Sequence, residues 1–365
     1  MARAKKMSAP KYGRYVRQGV YIFPIAAVLL MILPVITALS AGIAALSVVI
    51  FGGSLILIIP TFIYRRKSDR ALAVAALIAA VFGLVFPQII FCITAQRENV
   101  SLRFNPLSYM HFSGSTTLQP ARLINYKSIG NETLELAHYP TERSGVRPAV
   151  IVLHGGGWRY GNHLETGDWP RVLTEAGFHV FSVEYSLAGD TYPTWRDAPR
   201  DVHDAYNYVQ ANAKGLSVDP SQISLLGQSA GGHLALLEAY LHNYARSVVA
   251  LYAPIDLTLD YATSRDKSAE LDFIGGPPKQ YPHRYRAVSP ITYVSPYTPR
   301  TLLVQGKTDD LVDSSNTTLL AGKLTENRIE HETVFLPMTG HSFENQRGGF
   351  ATQITEAQVV RFLLE

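Results

Sequence analysis

Hydrophobic and polar positions follow two rhythms along this chain. From Val20 to Tyr64 no residue is charged, and Ala71 to Gln96 is uncharged again. A helix needs about 20 apolar residues to cross a bilayer. Divided near Ser40-Ala41-Gly42, the first stretch makes two spans, about 20–39 and 43–64, and the second makes a third, about 71–94. A cleaved signal peptide has a single, much shorter apolar core, so its pattern does not fit. Pro24, Pro34, Pro60 and Pro87 fall within these spans, where proline is tolerated and can kink a helix. Residues 97–127 read as an irregular linker, broken at Asn105-Pro106 and Gly114.

From residue 128 to 365 short apolar runs alternate with segments of helical spacing. Strands are predicted at 133–138, 149–153, 180–185, 223–226, 248–252, 301–304 and 332–336. Helices are predicted at 171–176, 198–211, 233–239, 314–324 and 355–364. This alternation predicts an α/β domain with a mainly parallel sheet and helices on both faces. Residues 258–300 break it with Gly275-Gly276-Pro277-Pro278 and Pro282, and read as an insertion covering the site.

Charge changes the picture in one respect. The chain carries 33 basic and 29 acidic side chains, a net charge of +4. Residues 1–70 hold ten of the basic ones and a single acid, Asp69, so the remainder is net negative. The basic segments 1–19 and 65–70 flank the apolar spans, which argues for a membrane surface rather than nucleic acid as partner. Lysine and arginine collect on the cytoplasmic side, so three spans would deliver everything after about residue 97 to the extracytoplasmic side. Cys92, the single cysteine, excludes an intrachain disulfide and a multi-cysteine metal site. Its apolar surroundings make it a small buried or lipid-facing residue.

The candidate chemistry centres on Gly227-Gln228-Ser229-Ala230-Gly231-Gly232, between a predicted strand and a predicted helix. A G-x-S-x-G at such a junction holds the serine hydroxyl clear of the backbone. Serine needs a base, and the base needs an orienting acid. Gly306-Lys307-Thr308-Asp309-Asp310-Leu311-Val312 follows one predicted strand, and Gly340-His341-Ser342-Phe343 follows the next. Asp309 is the expected acid, with Asp310 and Asp313 as alternatives, and His341 is the expected base. His154-Gly155-Gly156-Gly157-Trp158 follows an earlier strand. Glycines there let backbone N–H groups turn toward a tetrahedral oxyanion, so Gly156, Gly157 and Ala230 are the expected donors. The Trp158 N–H is an alternative. A phosphate-binding reading of the loop lacks the Lys-Ser or Lys-Thr of a P-loop.

These motifs make residues from about 130 to 365 resemble an α/β-hydrolase carboxylesterase. His154–Trp158 and Gly227–Gly232 are similar to the hormone-sensitive-lipase-like and feruloyl-esterase-like groups, as are Asp219-Pro220 and Ser289-Pro290. Many hormone-sensitive-lipase relatives have an acid before the serine. Gln228 stands there in this chain, which brings it closer to the feruloyl-esterase-like and isoprenylcysteine methylesterase-like groups. The resemblance covers nothing before about residue 130; it implies a serine carboxylesterase or lipase-like hydrolase that forms an acyl-enzyme on a small-molecule or lipid ester, without metal or organic cofactor, and the apolar spans add the expectation that it is membrane-anchored. A prolyl-oligopeptidase-type peptidase, an acyltransferase and a non-enzymatic binding protein are the rival readings.

Overall fold

The computed structural model describes residues 70–104, 111–112, 118–130, 132–189 and 192–365. They fall into two compact units that divide after Thr94. The expected spans 20–39 and 43–64 lie outside the described residues, as does the basic segment 1–19.

Helix α1 (Arg70–Arg97) occupies the third expected span. Among the described residues it is the one helix long and apolar enough to cross a membrane. Its stretch Val74–Arg97, 24 residues, extends about 36 Å at 1.5 Å per residue, against a hydrocarbon core of about 30 Å. Ile78, Val81, Phe82, Ile89 and Ile93 are exposed along it. Cys92 is exposed as well, so of its two expected settings the buried one does not hold.

The second unit is built on eight strands: β1 (Arg122–Ile129), β2 (Glu132–Tyr139), β3 (Arg147–Leu153), β4 (His179–Val183), β5 (Val218–Gln228), β6 (Ser247–Leu251), β7 (Arg300–Gly306) and β8 (His331–Leu336). They form one sheet in the order β1-β2-β4-β3-β5-β6-β7-β8. β1 pairs antiparallel with β2 and β2 with β4, and every later pair is parallel. The parallel strands are covered on both faces, which is why β4 and β6 are buried at every residue and read as mostly apolar runs, with His179, Ser182 and Ser247 as buried polar positions.

The helices are α2 (Trp169–Ala176), α3 (Asp197–Ala211), α4 (Ala230–His242), α5 (Ser315–Glu326) and α6 (Phe350–Leu364), with shorter ones between β6 and β7. Helix α4 packs on β3, β5 and β6 and is buried from Ala230 through Tyr240. α3 packs against α4, α2 against β4, and α5 against β7 and β8.

One expectation changes here. The segment 97–127 is not linker throughout, because β1 begins at Arg122. β1 is a half-exposed edge strand with a register shift between Asn125 and Lys127, so its apolar alternation is diluted. The segment 258–300, expected as an insertion covering the site, is built of short helices. It contains the short helices Leu257–Thr263, Ser268–Ile274 and Pro282–Ala287 and a 3-10 turn at Pro290–Tyr293. Asp260, Ser264, Asp266, Ser268, Ala269 and Glu270 from this segment line the cavity that holds Ser229.

Candidate active site

β5 ends at Gln228 and α4 starts at Ala230, so Ser229 alone makes the turn. Its backbone sits at φ 53° and ψ −119°, a conformation costly for a residue with a side chain. Two hydrogen bonds hold it there: the Ser229 N–H donates to Leu251 O at 2.9 Å, and the His233 N–H donates to Ser229 O at 2.9 Å. Glycine is required on either side by close approach. A Cβ on Gly227 would stand 2.1 Å from Gly231 O, and one on Gly231 would stand 2.2 Å from Leu153 O.

The other two expected residues arrive on adjacent loops. Asp309 follows β7 and His341 follows β8, and the loops are tied by Thr308 N–H donating to Thr339 O at 3.0 Å. His341 Nδ1 hydrogen-bonds Asp309 Oδ2 at 2.8 Å, and its Nε2 lies 2.9 Å from Ser229 Oγ. With the imidazole proton on Nδ1, Nε2 is free to accept from the serine hydroxyl. Asp309 is held by more than the histidine. Its Oδ1 accepts the N–H groups of Leu311 and Val312, each at 3.0 Å, and Oδ2 also accepts Gln305 Nε2 at 3.1 Å. The alternatives are engaged elsewhere: Asp310 pairs with Arg265 at 3.8 Å, and Asp313 accepts the Ser315 N–H at 2.8 Å. His331 stays at the start of β8, bonded to Ile329 O and Thr325.

Gly156, Gly157 and Ala230 line the same cavity as Ser229 and His341. Gly156 has φ 114°, Gly157 φ 60° and Trp158 φ 59°, so the loop runs through three successive left-handed positions. A Cβ on Gly156 would stand 2.1 Å from Tyr160 O. The loop is pinned at its far end. Trp158 Nε1 donates to His233 Nδ1 at 3.0 Å, and His233 Nε2 therefore carries its proton and donates to Val288 O at 2.6 Å. Complete burial holds the His233 pKa down at about 4. The His154 ring beneath the loop is likewise pushed down to about 4 by burial, and Tyr185 Oη donates to His154 O at 2.9 Å.

Several cavity-lining residues escaped the sequence reading. Gln228 Nε2 donates to Glu344 Oε1 at 2.8 Å, and the Tyr252 hydroxyl donates to the same oxygen. Burial pushes the Glu344 carboxyl above its ordinary value. The Tyr252 ring lies 4.4 Å from the His341 ring, centroid to centroid. The available signal was Glu344 itself, an acid three residues past His341 in a buried turn. In the opposite wall, burial and the neighbouring Glu270 carboxyl raise the pKa of Asp260. Asp260 also accepts Asn316 Nδ2 at 3.3 Å. The cavity measures about 510 Å³.

A family model described as BD-FAE matches residues 137–324, just over half of the chain. Esterase LipQ of Mycobacterium tuberculosis is 25% identical over 311 residues, covering 76% of this chain and 70% of LipQ. Carboxylesterase NlhH of the same organism is 34% identical over 123 residues, 33% of this chain and 37% of that protein. Among solved structures, an acetyl ester-xyloside bifunctional hydrolase from Caldicellulosiruptor lactoaceticus superimposes with a TM-score of 0.59 at 22% identity. That match covers 67% of this chain and 96% of the other, and the likeness bears on the fold. The sheet order, the family match and the esterase relatives converge: the chain belongs to the BD-FAE family, among the carboxylic ester hydrolases.

Proposed function

We propose that the chain is a serine carboxylesterase acting through Ser229, His341 and Asp309. The observation that carries this reading is the position of His341, within hydrogen-bond distance of both Ser229 Oγ and Asp309 Oδ2. His341 Nε2 takes the serine proton as Oγ attacks the ester carbonyl, and Asp309 stabilises the imidazolium that results. The N–H groups of Gly156, Gly157 and Ala230 receive the oxyanion of the tetrahedral intermediate. The imidazolium then protonates the leaving alcohol, and an acyl-Ser229 ester remains. Water, deprotonated by His341, attacks that ester, and the acid leaves as Oγ regains its proton.

The cavity wall bears Arg159, Glu165, Asp260, Asp266 and Glu270. Such a wall favours short, polar esters over long acyl chains, because a long chain would desolvate the exposed acids Glu165 and Asp266 without pairing them. The exposed apolar side chains of α1 and the uncharged stretch 20–64 support a membrane-held enzyme, and the basic segments 1–19 and 65–70 support a hydrolase domain outside the cytoplasm. A reporter fused after Glu365 that is active only in the cytoplasm would overturn that orientation.

The direct test is hydrolysis of p-nitrophenyl acetate, butyrate, octanoate and palmitate by detergent-purified protein beside Ser229→Ala. Turnover that favours acetate or butyrate and vanishes in the variant is the expected result. Equal rates for the two proteins would remove Ser229 from the chemistry. A preference for palmitate would reject the short-ester reading.

A further inference from the structure

A second group of donors lies between helices α3 and α4, and none of its members lines the catalytic cavity. His203 projects from α3, and Glu238 and His242 from successive turns of α4. Each offers one ligand atom, and the three atoms lie within 4.8 Å of one another. His203 Nδ1 is 3.1 Å from Glu238 Oε1, and His242 Nε2 is 3.5 Å from Glu238 Oε2. Glu238 is only 3% exposed, whereas the two histidines are about one-third open to solvent. A buried carboxylate facing two imidazoles has no part in ester hydrolysis.

We propose that His203, Glu238 and His242 form a divalent-cation site, with zinc as its preferred ion. Two imidazole nitrogens and one carboxylate are a zinc donor set, and three protein ligands leave a fourth position for water. Zinc bonds of about 2.0–2.1 Å place tetrahedral ligands about 3.4 Å apart. The two imidazoles face different oxygens of Glu238, and the Tyr244 hydroxyl, which donates to Oε1 and lies 2.9 Å from His203 Nδ1, is displaced when the ion enters. The remaining edge, between the two rings, closes by rotation of the half-exposed His242.

Asn207 completes the arrangement. Its side-chain nitrogen lies 2.9 Å from His203 Nε2. As the amide stands, Nδ2 donates to Nε2 and the ring proton lies on Nδ1; a metal at Nδ1 requires the amide to reverse, so that Nε2–H donates to Oδ1. An orienting partner of this kind is a regular feature of histidine ligands. Bound metal would clamp α3 to α4, the helix that begins at the nucleophile.

The test uses untagged, full-length protein stripped with a chelator and titrated with zinc by competition calorimetry. One zinc per chain is expected in wild type, lost in the His203→Ala/His242→Ala double variant. Asn207→Ala should weaken binding about 10- to 100-fold. Cobalt in place of zinc should give the visible absorption of a tetrahedral site, absent from His242→Ala, whose half-exposed position spares the fold. The proposal fails if wild type retains no zinc at micromolar concentrations. It fails equally if the double variant, shown folded by circular dichroism, keeps the same stoichiometry and cobalt spectrum.

Discussion

Gln228, the residue before Ser229, donates from Nε2 to Glu344 Oε1 at 2.8 Å, and Glu344 lies three residues after His341. The bond joins the two arms of the site directly. Tyr252 donates to the same carboxyl oxygen while its ring packs on His341. Glu344→Ala strands two buried donors, at about 1–3 kcal/mol each, and should lower kcat more than it raises KM. Denaturant unfolding and steady-state kinetics on one preparation measure both effects.

Glu344→Gln behaves differently. Burial raises the folded-state pKa of Glu344, so the native state holds the proton at a pH where the unfolded chain releases it. Its contribution to stability is therefore full below the ordinary carboxyl range and is lost as pH rises through the folded value. Glu344→Gln keeps a neutral acceptor in place, so its stability relative to wild type should improve from pH 5 to pH 8. Melting temperatures of the two proteins across that range check the sign.

Asp309 and its neighbours separate by their contacts. Asp309→Asn places an amide against His341 Nδ1 and should cost about 10⁴-fold in kcat with the fold retained. Asp310→Asn removes only an exposed pairing with Arg265 and should leave kcat within about a factor of two, since such pairs contribute about 0–1 kcal/mol. Parallel kinetics on the two variants decide the assignment.

The loop of Gly155, Gly156, Gly157 and Trp158, proposed to hold the oxyanion, has no space to spare at Gly156. An alanine there would put Cβ 2.1 Å from Tyr160 O, at a φ of 114° that alanine rarely adopts. Gly156→Ala should displace the donors and reduce kcat about 10²–10³-fold, the usual loss for one oxyanion donor. Trp158→Phe should weaken the same loop from its other end, leaving His233 Nδ1 without its donor. Ester turnover with matched melting curves separates loop displacement from unfolding.

Acid should destabilise the domain through its buried imidazoles. His138, His154 and His233 are each held down at about 4 chiefly by burial, against an unfolded value of 6.5. A base with a depressed folded pKa contributes stability above the unfolded value and loses it as pH falls toward the folded one. Melting temperature should therefore fall steadily between pH 6.5 and pH 4. Nuclear magnetic resonance titration should find the three rings neutral down to about pH 5.

The order of strands and helices was legible in the sequence because each buried parallel strand is a local apolar run bounded by turn residues. That Ser229, Asp309 and His341 come together was legible because each sits in a loop at a strand's end, with glycines whose spacing marks the turn. The edge strand β1 was not, since its exposed face breaks the alternation. Tertiary structure alone decided the rest. Gln228 and Glu344 are 116 positions apart, Tyr252 and Glu344 are 92 apart, and Trp158 and His233 are 75 apart. Neither member of these pairs carries a local mark of its partner. Such bonds arise only where packing buries two polar groups together and each becomes the other's substitute for water.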